Sequence, residues 1–212
     1  MRTTLKRTPD VRHFHEPFTW HLAADLLTAE QLNDLERERP AMDTGRRAVV
    51  EGVRREKHYR MNVLTLVDQN IRTAATDSLS PRWKALLDDL ESDGFLDWMS
   101  RATGICLHGL PTEIGVYTYT KGDYVSPHRD KPTKALTAIL YLNERWPVDG
   151  GGHFEVRGSA RSTDKPVESV PPLGGQLLAF PPGDTSWHAV SKVDTDEVTR
   201  LTVLLEFWLR ES

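Results

Sequence analysis

The stretch Tyr124-Val125-Ser126-Pro127-His128-Arg129-Asp130 decides the fold. Its imidazole and its carboxylate stand two residues apart. On a strand such residues point to one face, so His128 and Asp130 can close on a metal ion from one side. Pro127 cannot donate to a central ladder, which puts the pair at a strand end or edge, where side chains reach a mouth. Arg129, between them, is expected to point away. A second imidazole from a distant strand, His188 in Ser186-Trp187-His188-Ala189-Val190, completes a three-ligand face. The opposite face of an octahedral ion then stays open. Arg200 and Thr202 share a face by the same period of two. A guanidinium there can grip a carboxylate through two parallel charged hydrogen bonds, with the Thr202 hydroxyl as a further donor. The short turn at 194–197 returns the Arg200 strand toward His188, so the two strands pair or face each other across a sandwich.

The surroundings have one style. From Glu113 onward, short β-rich runs alternate with turn clusters at 121–123, 147–152, 157–166, 171–175, 181–184 and 194–197. Regular short strands of this kind mean a sandwich or barrel. Tyr117-Thr118-Tyr119 leads into Lys121-Gly122-Asp123-Tyr124. Leu136-Thr137-Ala138-Ile139-Leu140-Tyr141-Leu142-Asn143 follows the H-x-D pair, with Trp146 and Gly150-Gly151-Gly152 behind it.

With these neighbours, residues 113–210 resemble the prolyl 4-hydroxylase-like branch of the Fe(II)/2-oxoglutarate-dependent dioxygenases, with a weaker echo at 16–40. The resemblance implies a mainly β, antiparallel double-stranded β-helix, or jelly roll, with two or three N-terminal buttressing helices. It implies Fe(II) on His128, Asp130 and His188, and 2-oxoglutarate held by Arg200 and Thr202 in a pocket lined by Tyr141 and Tyr119. O2 is the second co-substrate and ascorbate a supporting reductant. The implied reaction hydroxylates an unactivated C–H bond and releases succinate and CO2. Asp130 stands where halogenating relatives carry a small residue, so hydroxylation, or less often desaturation or ring closure, is favoured over halogenation. Tyr119 and Tyr124 read equally well as core aromatics. The triple glycine departs from the usual glycine pair followed by an acidic or apolar residue, and His153 after it reads as a turn residue.

Length, 212 residues, fits one domain, divided here into a polar arm at 1–15 and a jelly-roll domain at 16–212, with helical and loop decoration at 16–112 and the barrel at 113–210. His13 and His15 alternate on the arm, which terminal segments usually leave poorly ordered. The formal net charge of −4 carries no nucleic-acid footprint. A single cysteine, Cys106, forms no intramolecular disulfide and suits a reducing compartment; Gly104-Ile105-Cys106-Leu107 predicts a buried, apolar role. No apolar run reaches membrane-spanning length, and no apolar segment follows the first charges, so the chain reads as cytoplasmic, without membrane partners.

The segment before the barrel predicts a helix from Thr28, with Gln31 closing a capping box, Leu27 and Leu32 forming a staple, and Pro40 ending it. Residues 41–57 read as a long basic loop. Tyr59–Val67 reads as an outer strand. Ser80-Pro81 opens a second helix, and a shorter third one, Phe95–Ala102, ends at Gly104 in a left-handed cap. Loops of this kind cover barrel mouths, which makes Arg54, Arg55, Tyr59 and Arg60 substrate-contact candidates, with Trp187 and His108 as weaker ones. Each of the first four is also readable as surface charge or strand packing. The basic run Arg46, Arg47, Arg54, Arg55, Lys57, Arg60 reads as a solvated face or as a contact for an anionic substrate.

Three other readings share these residues. A cupin-like metal protein would not need Arg200. A zinc hydrolase would need a general base beside its ligands, and none stands out. A non-catalytic binding or sensing module would keep the fold alone. Within the oxygenase reading, a small-molecule substrate, an amino acid or a specialised-metabolite intermediate, is favoured over a prolyl or other residue of a protein. Mild acidity and the lack of a nucleotide lid weigh against nucleic acid. The oligomeric state is not legible.

Overall fold

The computed structural model describes residues 5–7, 10–42, 45–52, 57–161 and 163–210. In chain order these form β1 (Val11–Phe14), β2 (Trp20–Ala23), α1 (Ala29–Arg37), β3 (Arg46–Val50), β4 (Tyr59–Asp68), β5 (Ile71–Arg72), a 3-10 turn (Ala74–Ser78), α2 (Pro81–Leu90) and α3 (Asp93–Thr103). The rest is strand: β6 (Thr112–Tyr119), β7 (Tyr124–His128), β8 (Lys134–Tyr141), β9 (Phe154–Val156), β10 (Glu168–Val170), β11 (Leu177–Phe180), β12 (His188–Val190) and β13 (Arg200–Trp208). All pairings are antiparallel. The hydrogen-bonded order is β1-β2-β11-β8-β13-β6-β4-β7-β12-β9-β10, with β3 and β5 added to β4. This is the mainly β, curled double-stranded architecture expected, with three helices ahead of the barrel. β12 and β13 do not pair; they lie in different parts of the curled sheet.

Period two explains the layers. Leu136, Ala138, Leu140 and Leu142 face outward with Leu201, Val203, Leu205 and Phe207, and merge with Leu32, Leu35, Trp83, Leu86, Leu87, Phe95 and Met99 of the helices into one apolar core. The alternate residues Ile139, Tyr141, Leu178 and Phe180 face inward with Trp20, Phe154 and Val156. The helices start where the caps say. Thr28 Oγ1 accepts from Gln31 N–H, and the Gln31 side chain accepts from Thr28 N–H. Ser80 caps α2 with Pro81 at its first position, and Gly104 ends α3 at φ 74°.

Several expectations need correction. The arm at 1–15 is partly sheet: β1 pairs with β2, and Leu5 is buried. Residues 41–57 are not all loop, because Arg46–Val50 pair with Val63–Tyr59. β4 is no outer strand; it is bonded to β6 and β7 and joins the two halves of the sheet. Ser92 caps α3, so Asp93-Gly94 form its first turn rather than a break, and α3, at 11 residues, is longer than α2 at 10. Cys106 is exposed, since it falls in the turn after α3 rather than in a packed element. No helix among the described residues is long and apolar enough to cross a membrane.

Candidate metal centre

His128 ends β7 and His188 begins β12, and the two are register partners across that pair. Asp130 lies just past the strand end. One donor atom from each of the three lies within 4.8 Å of the others. His128 Nε2 stands 3.6 Å from Asp130 Oδ1, and the two imidazole centroids are 4.2 Å apart. Both rings are set the same way. Nδ1 of His128 donates to the Ser126 carbonyl and Nδ1 of His188 to the Ser186 carbonyl, each at 2.9 Å. A carbonyl only accepts, so Nδ1 carries the proton and the Nε2 lone pair is free for a cation.

Burial keeps these groups in their ligand forms. It lowers His188 to about 3, with repulsion from His128 adding to the effect. It lowers His128 too, helped by the Lys57 ammonium. Burial pushes Asp130 up, but the His128 hydrogen bond, the adjacent His188 imidazole and the Lys134 and Lys57 ammoniums outweigh it and hold the carboxyl well below its usual range. Two imidazoles and a carboxylate converge from one side, which is a donor set suited to ferrous iron.

The far oxygen of Asp130 is already engaged. Oδ2 accepts from Thr137 Oγ1 at 2.7 Å, and Lys134 Nζ stands 3.3 Å away. Lys134 also bonds Glu206, the register partner of Thr137. Burial lowers the Lys134 ammonium, yet Asp130 and Glu206 together raise it. The carboxylate is thereby turned so that Oδ1 faces the imidazoles.

Arg200 opens β13 and is 1% exposed. Its Nε donates to the Gly152 carbonyl at 2.8 Å. Its guanidinium carbon lies 4.7 Å from the Tyr119 ring centre and 5.4 Å from that of Tyr141. Arg200 Nη2 and the Tyr141 hydroxyl are both buried without a hydrogen-bond partner. Burial pushes the Tyr141 phenol up to about 12 despite the neighbouring guanidinium, so it stays a donor. Two adjacent buried donors without an acceptor are costly unless an anion arrives. A free carboxylate of 2-oxoglutarate is such an anion. Thr202 is buried next along this face, with its hydroxyl 3.4 Å from the Tyr117 carbonyl. Tyr119 donates to Met61 Sδ at 3.3 Å and walls the pocket as an aromatic.

The glycine run has a steric cause. Gly151 and Gly152 have φ of +62° and +66°, and a Cβ on Gly152 would meet Trp146, Val193 and the Arg200 side chain at 3.1–3.3 Å. His153 Nδ1 lies 3.1 Å from Ser169 Oγ, on the other side of β9.

Residues 114–210 match the family model described as the 2OG-Fe(II) oxygenase superfamily. That match covers the C-terminal barrel strands and just under half of the chain. A match to this superfamily implies Fe(II), 2-oxoglutarate and O2, and the barrel carries a three-donor set and a buried guanidinium and phenol whose chemistry fits the first two. The chain is 30% identical over 115 residues to prolyl 3-hydroxylase sudestada1 of Drosophila melanogaster, covering 50% of this chain and 21% of that protein. It thus spans about a fifth of the length of the curated relatives it matches. A Pseudomonas putida prolyl-4-hydroxylase superposes with a TM-score of 0.60 at 22% identity, covering 91% of this chain and 93% of that one. The 2-oxoglutarate-dependent epimerase SnoN from nogalamycin biosynthesis gives 0.58 at 15% identity, covering 90% and 78%. At such identities the likeness is one of fold.

The remaining sequence candidates scatter. Trp187 lines a cavity of about 660 Å³ in front of the metal-facing atoms, together with Lys57, His128, Arg129 and Asp130. The rings packed on His188 are Phe154 and Phe180, at 5.4 and 4.6 Å, and Trp187 is a wall of the mouth. Arg129 stacks on Trp187 and donates to the Asp184 carbonyl, both in the wall of the same cavity. Tyr59 packs near Tyr119 and Val125. Arg60 faces Glu51 at 3.7 Å, and His108 pairs with Asp97 beyond the barrel. Arg54 and Arg55 lie outside the described residues. The sequence reading missed Thr137, Lys134 and Asn143. Asn143 Oδ1 accepts from Leu201 N–H at 2.7 Å and its Nδ2 donates to the Thr199 carbonyl at 2.8 Å, clamping the end of β13 that carries Arg200. Of the three, only Thr137 carried a signal: its inward phase on β8, opposite the Leu residues.

Proposed function

We propose that this chain is an Fe(II)- and 2-oxoglutarate-dependent oxygenase that hydroxylates an unactivated C–H bond of a small molecule, an amino acid or a specialised-metabolite intermediate. The observation that carries the reading is the pairing of a three-donor metal face with a separate buried guanidinium and phenol that lack an acceptor. When bound, iron, 2-oxoglutarate and O2 supply the oxidative decarboxylation to succinate and CO2 that is coupled to C–H oxidation. The chain's own part is to hold and orient. His128, His188 and Asp130 Oδ1 are the metal ligands. Arg200 anchors the far carboxylate of the co-substrate, with Tyr141 as second donor and Thr202 and Tyr119 completing the pocket. Phe154 and Phe180 keep water off the His188 side. The cavity walled by Trp187 receives the substrate. Asp130 occupies the third ligand position, which supports oxygen rather than halide transfer. A second reading, hydroxylation of a prolyl residue in a peptide, is favoured by the match to a prolyl 3-hydroxylase.

His128→Ala, Asp130→Ala and His188→Ala are each expected to abolish succinate formation from 2-oxoglutarate; full turnover in all three would remove the metal assignment. An aerobic screen of amino acids, related metabolites and proline-containing peptides, read by mass for added oxygen, separates the two substrate readings.

A further inference from the structure

The basic segment before the barrel sorts itself by partner. Arg47 forms two hydrogen bonds to Asp123, one of them 2.7 Å long. Arg60 faces Glu51, and Arg46 is exposed on β3. Lys57 is different. It lines the cavity in front of the metal-facing atoms. Among the described residues it has no hydrogen bond and no ion pair; its ammonium meets only the Tyr59 ring, 5.7 Å from the centre. The other cations of that cavity are engaged or peripheral. Arg129 is bonded to Asp184 and stacked on Trp187, and Lys131 is exposed at the rim, near Trp208. Asp184, the one carboxylate besides Asp130 among the described residues of the lining, is therefore taken.

Charge balance points the same way. Two ammoniums, Lys57 and Lys134, and two carboxylates, Asp130 and Glu206, influence one another here. Adding a ferrous ion and the metal-binding carboxylate of a keto-diacid leaves one positive charge in excess, because the far carboxylate is matched by Arg200. An uncompensated charge in a partly desolvated site is expensive. One anionic group on the substrate removes the excess, and Lys57 is the cation placed to receive it. A lysine suits this task as a compact point charge on a flexible stem.

We propose that Lys57 takes an anionic group of the substrate, so that the compound oxidised here carries a carboxylate or an equivalent anion beside the C–H bond presented to the metal. This rests on the oxygenase reading and names its substrate class. The test uses N-acetyl-L-amino acids paired with their neutral carboxamides. They are titrated anaerobically by calorimetry into the full chain loaded with Fe(II) and 2-oxoglutarate, so that binding is read without turnover. Wild type is expected to bind acids at least about ten-fold tighter than amides. Lys57→Met erases that difference and Lys57→Arg keeps most of it. In both variants the affinity for 2-oxoglutarate stays within about two-fold of wild type. Acids and amides that bind alike, or equally fail to bind, overturn the proposal. So does an acid preference that survives in Lys57→Met. A Lys57→Met variant that loses 2-oxoglutarate affinity instead assigns the ammonium to the co-substrate and also overturns it. Failure of the oxygenase reading itself shows earlier, as wild type that takes up neither Fe(II) nor 2-oxoglutarate before any acid is added.

Discussion

Leu140 and Tyr141 are neighbours on β8, both with no exposed surface, yet they serve opposite ends of the molecule's chemistry. Leu140 faces the helices in a core built from apolar side chains alone. Tyr141 faces the barrel interior, where Arg200 lies against it and both keep a donor unused. On the helix side, Leu140 and its neighbours need only apolar packing. Inside, the fold holds polar groups at a cost that only a ligand can offset. The two faces of one sheet thus separate stability from function, residue by residue.

The sharpest way to break this contrast is at Arg200. Arg200→Met is expected to weaken 2-oxoglutarate by about 2–5 kcal/mol, at least thirty-fold or so, because it strips one partner from a buried charged pair. Metal binding survives. The stability of the protein without ligands holds or rises, since a buried donor without an acceptor is gone. Unchanged 2-oxoglutarate affinity by titration would contradict the assignment. Leu205→Ala, on the outward phase of the same strand, should do the converse. It costs about 2–5 kcal/mol in urea unfolding, while the folded fraction binds 2-oxoglutarate as wild type does. A loss of affinity there would mean that the two faces are coupled. Thr137→Val removes the hydroxyl on Asp130 Oδ2 and should lower metal affinity about ten- to a hundred-fold with little change in 2-oxoglutarate contacts at Arg200. Equal metal affinity would leave Lys134 alone as the orienting group.

The smallest effect is in pH. Burial holds His188 near 3 on the inner face and His21 near 4 on the outer, both below the ordinary 6.5. The unfolded chain therefore binds more protons below about 6.5, and stability falls as pH drops, to completion near 4 for His21 and near 3 for His188. Asp130, whose folded value is depressed, adds loss in the same direction at lower pH. In the folded protein His188 stays neutral down to about 3, so the stabilising effect of a bound divalent metal should hold from pH 7 to 4. Urea midpoints with and without metal across that range check this; a metal contribution lost between pH 7 and 5 would mean that the ligand imidazoles titrate at their ordinary value.

Much of the site was legible because it is written in short-range periods. His128 and Asp130 are two apart, Arg200 and Thr202 likewise, and a strand aligns each pair without help from the rest of the chain. Thr28-x-x-Gln31, Ser80-Pro81 and Gly104 set helix boundaries for the same reason: their partners lie within one turn. The errors fall where partners are remote. Arg46–Val50 reads as loop until β4 lies beside it. Cys106 reads as buried until the chain turns outward after α3. Trp187 is adjacent to His188 in sequence, but the rings that pack on the imidazole come from β9 and β11.

The linear chain alone determined a sandwich or barrel of short strands after residue 113, the helix starts at Thr28 and Ser80 and the candidate ligands, because strand phase, capping and residue chemistry are local properties; the curled jelly roll was implied by the family resemblance. Only the tertiary structure decided which groups sit behind those ligands and which stay unpaired. Thr137 and Lys134 on Asp130, Asn143 at the Arg200 strand, and Lys57, without an ion pair among the described residues, at the mouth are set by contacts between distant strands. Register depends on how the whole sheet curls, which no window of neighbours contains.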